Sequence, residues 1–224
     1  MKNTTTIDKR SLDRQAADWI RGAIVAGDLS PGARLTEIAL AEQIGLSRST
    51  VRSAMQRLAG EGLLVQHAYT GWEVVTLTPE DAWELYTLRC SLEGLAARLA
   101  AERIDDAGRA VLTAALNELK DSIAVMDRRR VALADLTVHR TIVTLAKHRR
   151  LSMQYGLVIE PVHLYILSTN SMTEPLEAIV PEHEELVDSI LRGDVQTAER
   201  LASEHVSKHG LRLVELLRAQ EANG

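Results

Sequence analysis

With one cysteine, Cys90, in 224 residues, the chain can form neither an intramolecular disulfide nor a tetrathiolate metal site, which fits a reducing cytoplasm. Long apolar runs are also missing. Nothing approaches the roughly 20 residues of a membrane span, and residues 1–20 lack the apolar stretch of a secretory signal, so the expectation is a soluble, unexported protein with no membrane partner. Phenylalanine is absent and aromatics are 3% of the chain. The 46% hydrophobic content is therefore mostly Ala, Leu, Val and Ile. Proline is sparse after Pro79, which favours helices over a β-sandwich.

Excess positive charge is lacking too. The net charge of −5 argues against nucleic acid, whose phosphates reward cations. The charge is uneven, however. Residues 1–78 hold nine Lys/Arg against eight Asp/Glu, whereas the remainder holds 17 against 23, so the acidity belongs to the C-terminal part.

The N-terminal third reads as helices followed by a hairpin. Leu12, Ala16, Trp19, Ile20, Ala23 and Ile24 fall at helical spacing before Gly27, and Asp28 to Gly32 form a turn. Thr36 can cap a short helix carrying Ile38, Leu40, Ala41 and Ile44, which Gly45 breaks. Ser47 then caps a further helix, and two helices joined through a glycine make a helix-turn-helix pattern. On that helix Val51, Ala54, Met55 and Leu58 share one side. Ser49, Arg52, Ser53 and Gln56 share the other, with Arg48 and Arg57 at the margins. Such an outward face suits a major groove, where Arg pairs with guanine and Gln with adenine; alone, it equally describes a solvated helix. The β-prone runs at Leu63–Val65 and Trp72–Val75, separated by residues 67–71, predict a wing.

Through "GDLSPGARLTEIALAEQIGLSRSTVRSAMQRLAGEGLLV" and "GWEVV", residues 12–76 resemble the GntR family of bacterial regulators. The resemblance implies that Ser47, Arg48, Ser49, Thr50 and Arg52 contact operator DNA, with His67 and Gly71 in the wing; Gln56 joins them from the helix face. Arg34 lies where it can reach a phosphate. Ile38 stands where some relatives carry a DNA-contacting basic residue, and Ser-Thr-Val replaces the Thr-Pro-Val of many relatives.

Thr78-Pro79-Glu80-Asp81 is a strong helix start, which places a boundary between a winged helix-turn-helix at 1–77 and a second domain at 78–224. Leu85, Leu88, Leu92, Leu95 and Leu99 form a stripe expected to be a core seam or a dimer contact. Further helices are predicted near 106–126, 130–147, 149–169, 174–192 and 194–218, giving six in all. The fold class is mainly α, with an all-α antiparallel bundle behind the winged head.

Asp135 and His139, at i and i+4, project from one helix face and can grip one metal ion or form a surface hydrogen bond. His183 and His205 lie ten residues before and twelve after Gly193. In an antiparallel hairpin they reach nearly equal heights, so one carboxylate and three imidazoles can converge. "DLTVH", "LYTLRCSLEGLAARLAAERI" and "PEHEELVDSILRGDVQTAERLASEHV" resemble the FCD ligand-binding domain of the FadR subfamily. The resemblance implies that Asp135, His139, His183 and His205 bind a divalent metal, with an effector carboxylate taking an open position assisted by Arg89; the other reading of Arg89 is a surface pair with Glu93. One oxygen and three nitrogens suit zinc first, then nickel, manganese or iron. His148, His163 and His209 fall outside that set, and His209 is expected to face solvent.

Together these features predict a homodimeric regulator, more readily a repressor than an activator, that binds double-stranded DNA at an inverted repeat with half-sites about 34 Å apart. A small organic acid is the expected effector. The alternatives are a metal sensor and a metal-dependent hydrolase. Against the hydrolase, no motif marks a general base and an enzyme has no use for the head.

Overall fold

The computed structural model describes residues 11–68, 70–169 and 176–222, which divide into two compact units, one ending at Val75 and the other beginning at Thr76. The first comprises α1 (Leu12–Ala26), β1 (Arg34–Leu35), α2 (Glu37–Ile44), α3 (Arg48–Gly60), β2 (Leu64–His67) and β3 (Gly71–Val74). Local chemistry sets the boundaries. Thr36 Oγ1 accepts from the Ala39 amide and Ser47 Oγ from the Thr50 amide, each at 3.2 Å, while Gly27 and Gly45 end α1 and α2 in the left-handed conformation.

The wing is an antiparallel sheet in the order β1-β3-β2, with Arg34 opposite Glu73 and Leu64 opposite Val74. The two residues of β1 had no strand signal in the sequence, because a strand this short shows no alternation. Gly71 is required twice over. Its φ is 101°, and a Cβ there would lie 2.8 Å from the Leu35 carbonyl oxygen on β1. Ile20, Ile24, Val51, Met55, Leu58 and Leu63 are completely buried beneath these elements.

The second unit consists of α4 (Pro79–Arg103), α5 (Asp106–Ala124), α6 (Arg128–Leu145), α7 (Arg149–Thr169), α8 (Leu176–Arg192) and α9 (Val195–Ala222). The predicted break at Asn170 and helix start at 174 lie outside the described residues, as does Tyr69 of the wing. A capping box closes on Thr78 and Asp81, and Asp105, Asp127 and Asp194 cap α5, α6 and α9. His148 serves similarly at α7, its Nδ1 accepting from the Leu151 amide at 3.1 Å. No described helix is long and apolar enough to cross a membrane.

Helix α4 packs most extensively on α9 and also touches α6, α7 and α8. Small residues allow the close approach. A Cβ on Gly210 would lie 2.5 Å from the Tyr86 ring, and one on Gly94 would collide with Ser203 Oγ. The leucine stripe lines the core over most of its length: Leu99 is buried and Leu85, Leu92 and Leu95 are partly buried against the apolar clusters, whereas Leu88 is 49% exposed. Ala82, Tyr86, Arg89, Glu93, Ala96, Ala97 and Ala100 are buried beside it. Short side chains bring the α4 backbone near α9, and a bulky leucine face would hold the two apart.

Candidate metal centre and DNA-reading helix

Three helices of the second unit bring four ionisable side chains to one place. Asp135 and His139 come from α6, His183 from α8 and His205 from α9, and one ligand atom from each lies within 4.8 Å of all the others. Gly193 makes the α8–α9 turn at φ 72°, which sets the His183 and His205 ring centroids 4.6 Å apart. The His139 ring lies 5.3 and 5.2 Å from those two. Asp135 Oδ1 is 3.0 Å from His183 Nε2, and Oδ2 is 3.8 Å from His139 Nε2.

The outer sides of the three rings face acceptors. His183 Nδ1 is 2.8 Å from the Ile179 carbonyl, His205 Nδ1 is 3.0 Å from Glu182 Oε2, and His139 Nδ1 is 2.5 Å from Glu93 Oε2. His139 and His183 are each 1% exposed, yet among the described residues neither nitrogen of His139 nor Nε2 of His183 has an aligned hydrogen-bond partner. A buried nitrogen left so costs about 1–3 kcal/mol, a deficit that a lone-pair acceptor such as a metal cation would remove.

Burial opposes ionisation of Asp135, but the His183 contact and the surrounding imidazoles outweigh it and hold the carboxyl well below its usual range. Burial lowers His205 to about 3, against the pull of Glu182, so this ring is a neutral ligand at ordinary pH. His183 moves the other way, because Asp135 overcomes its desolvation.

Local spacing did not place several neighbours of this centre. Glu93 is buried between Arg89 and His139, and burial of its carboxylate is outweighed by those two neighbours, which lower its pKa. Arg89 is 6% exposed, so its pairing with Glu93 is a core interaction and not the surface pair considered above. Tyr155, 2% exposed, has a hydroxyl without a hydrogen-bond partner, and its pKa is raised well above the usual value by burial and then by Glu93. His209 does not face solvent as expected. Its Nε2 is 3.0 Å from Glu182 Oε2 and 3.2 Å from His205 Nδ1, because α9 turns both histidines toward α8. Glu182, which also pairs with Lys208, is lowered chiefly by its hydrogen bond with His205. An i, i+4 rule finds His209 only once the partner helix is known.

In the first unit, Val51, Ala54, Met55 and Leu58 of α3 are buried, whereas Arg48, Ser49, Arg52, Ser53 and Gln56 are exposed. Ser47 Oγ lies 2.9 Å from Ser49 Oγ and 2.8 Å from Thr50 Oγ1, and Thr50 is half-buried. Arg34 is exposed on β1. His67 on β2 is 3.3 Å from Glu73, and Gly71 opens β3.

Residues 12–74 match the family described as bacterial regulatory proteins, gntR family, and residues 84–208 match the FCD domain. This chain belongs to the GntR family. It is 31% identical over 91% of its length, and 89% of the relative's, to the "Probable D-xylose utilization operon transcriptional repressor" of Paenarthrobacter nicotinovorans. It is 26% identical to the "Gluconate operon transcriptional repressor" of Bacillus licheniformis, over 84% of this chain and 79% of that one. The crystal structure of a GntR regulator from Rhodococcus sp. RHA1 superposes with a TM-score of 0.77 at 24% identity, covering 92% of this chain and 99% of the other. Escherichia coli McbR/YncC gives 0.75 at 21%, covering 95% and 99%. This GntR-family chain is therefore a DNA-binding transcription regulator built from a winged head and an FCD domain, and the hydrolase alternative falls.

Proposed function

We propose that this regulator is a cytoplasmic, homodimeric repressor of the FadR type whose grip on an inverted-repeat operator is set by a small organic acid bound beside a divalent metal. The metal ligands are Asp135, His139, His183 and His205. The observation that carries this reading is that Nδ1 of His183 and His205 is hydrogen-bonded on the outer side, to the Ile179 carbonyl and Glu182, with Glu93 beside Nδ1 of His139, an arrangement that favours Nε2 of each ring as the ligand atom. The set fits zinc, and also nickel, manganese or iron where further ligands complete the shell. When bound, the metal supplies a positive centre for a carboxylate.

This chain's own contribution to the effector is Arg89. Glu93 occupies its Nε and Tyr86 lies beside the guanidinium, so Arg89 would turn its Nη N–H groups to an entering carboxylate. Burial favours an anion there, because a carboxylate replaces more of the hydration lost by the buried guanidinium than an uncharged ligand does.

The DNA-reading side chains are Ser47, Arg48, Ser49, Thr50, Arg52 and Gln56 of α3 and its cap, with His67 and Gly71 of the wing and Arg34 near the backbone. The separation of the polar α3 face from its buried face supports this reading. The head is almost neutral, so affinity depends on few placed contacts and on pairing of two heads.

Metal analysis of the purified protein beside a His183→Ala/His205→Ala variant tests the centre: metal in the wild type and its loss from the variant support it, and unchanged content overturns it. Thermal-shift screening of organic acids on metal-loaded and metal-stripped protein tests the effector. A shift with metal salts alone, together with altered operator affinity and no response to any acid, supports a metal sensor instead.

A further inference from the structure

A carboxylate on α2 grips the polar face of α3. Arg52 on α3 donates from Nε to Glu37 Oε1 at 2.8 Å and from Nη2 to Glu37 Oε2 at 2.7 Å, a two-point grip. Glu37 stands in the first turn of α2, is 14% exposed at its side chain, and also accepts from Trp72 Nε1 of β3 at 3.5 Å. Arg52 keeps 54% of its side-chain surface exposed. One carboxylate thus ties the first helix of the motif, the recognition helix and the wing, and it does so through a side chain proposed to read DNA.

A guanidinium has five N–H groups, and the side-on pair at Nε and Nη2 is the one Glu37 takes. The end-on pair, one N–H on each Nη, projects farthest from α3. Guanine accepts two such donors at O6 and N7. We infer that Glu37 is a positioning residue for sequence readout: by holding the side-on edge of Arg52, it presents the end-on edge to a guanine in each half-site. This rests on the proposal that α3 reads the operator. Without the grip, the Arg52 side chain can turn to a neighbouring phosphate, which adds affinity for any sequence and removes the preference.

The test is selection from a pool of randomised DNA duplexes by wild type, R52A, E37Q and E37D, with sequencing of the bound fraction. Glu37→Gln replaces one of the two acceptors by a donor. Glu37→Asp keeps the charge on a stem one methylene shorter. Thermal unfolding of each variant establishes that it is folded at the selection temperature, and the shape-conserving E37Q and charge-conserving E37D stand in for one another.

The expected result is a guanine enriched about tenfold or more at one position of each half-site by the wild type. R52A erases it, and E37Q and E37D weaken it severalfold at that position alone while binding to an unrelated duplex stays equal or rises. An E37Q protein that enriches the same guanine as the wild type, or an R52A protein that keeps it, overturns the inference alone. A wild type that enriches no sequence overturns the DNA-reading proposal and this inference with it.

Discussion

The Asp135 carboxylate on α6 lies 3.0 Å from Nε2 of His183 on α8, with the His139 and His205 rings closing on the same space. That contact makes Asp135 the anion of the proposed centre. Asp135→Asn keeps the shape and removes the charge. Its zinc affinity, measured by competition with a chromophoric chelator, should fall by more than the roughly 10–100-fold typical of losing an outer partner. Equal affinity would remove Asp135 from the ligand set.

Glu182 provides the complementary case. It touches His205 from outside the four proposed ligands, and with His205 and His209 it forms a second group whose ligand atoms lie within 4.8 Å of one another. Glu182→Gln should weaken zinc roughly 10–100-fold without abolishing binding. Zinc at a hundredfold over its Kd should stabilise the wild type by about 2.7 kcal/mol, and at that same zinc concentration the variant should gain visibly less. The readout is chemical unfolding with and without zinc, and identical gains would detach Glu182 from the centre.

Gly210 explains how α9 approaches α4. Gly210→Ala favours the helix by about 1 kcal/mol in propensity, yet its Cβ must displace the buried Tyr86 ring. Overpacking of this kind costs about 1–3 kcal/mol, so no net stabilisation is expected. Because Tyr86 adjoins Arg89, whose guanidinium carbon lies 5.4 Å from the ring centroid, effector affinity should weaken too. A more stable variant with unchanged acid response would refute this account of the helix contact.

His163 sets a pH dependence. Burial lowers it from 6.5 to about 4, despite its contact with the Ala132 carbonyl at 3.1 Å. The folded value lies below the unfolded one, so between those limits the unfolded chain binds more protons and stability falls as the solution is acidified. At about 1.4 kcal/mol per pKa unit the loss is on the order of 3 kcal/mol, complete below pH 4 and absent above 6.5. Comparing urea unfolding of metal-free wild type and His163→Gln at pH 7 and 4.5 isolates this contribution. Parallel pH slopes for the two proteins would assign the acid sensitivity elsewhere.

Much of the head was legible because its signals are local. Thr36, Ser47, Gly27 and Gly45 act within a few residues of themselves, and the alternation of Val51, Ala54, Met55 and Leu58 with Ser49, Arg52, Ser53 and Gln56 needs only the helical period. The convergence of four side chains was legible for a related reason: Asp135 and His139 share one helix face, and His183 and His205 flank one turn. On α4 periodicity found Leu85, Leu92, Leu95 and Leu99, which pack in or against the core, but not the alanines and Tyr86 buried beside them. Close approach to α9 at Gly94 and Gly210 decided which face went inside.

By itself, then, the chain determined the two-part architecture, the helix starts, the polar face of α3 and the four converging side chains, since caps, turns and i, i+4 neighbours depend on bonds already close in sequence. Tertiary structure alone decided what surrounds those side chains. Glu93 reaches His139 from α4, Glu182 and His209 meet across α8 and α9, and Glu37 takes Arg52 across the turn of the motif. Each of those contacts joins different helices. Their rotations are fixed by packing of small residues and by burial, which no single-helix pattern encodes.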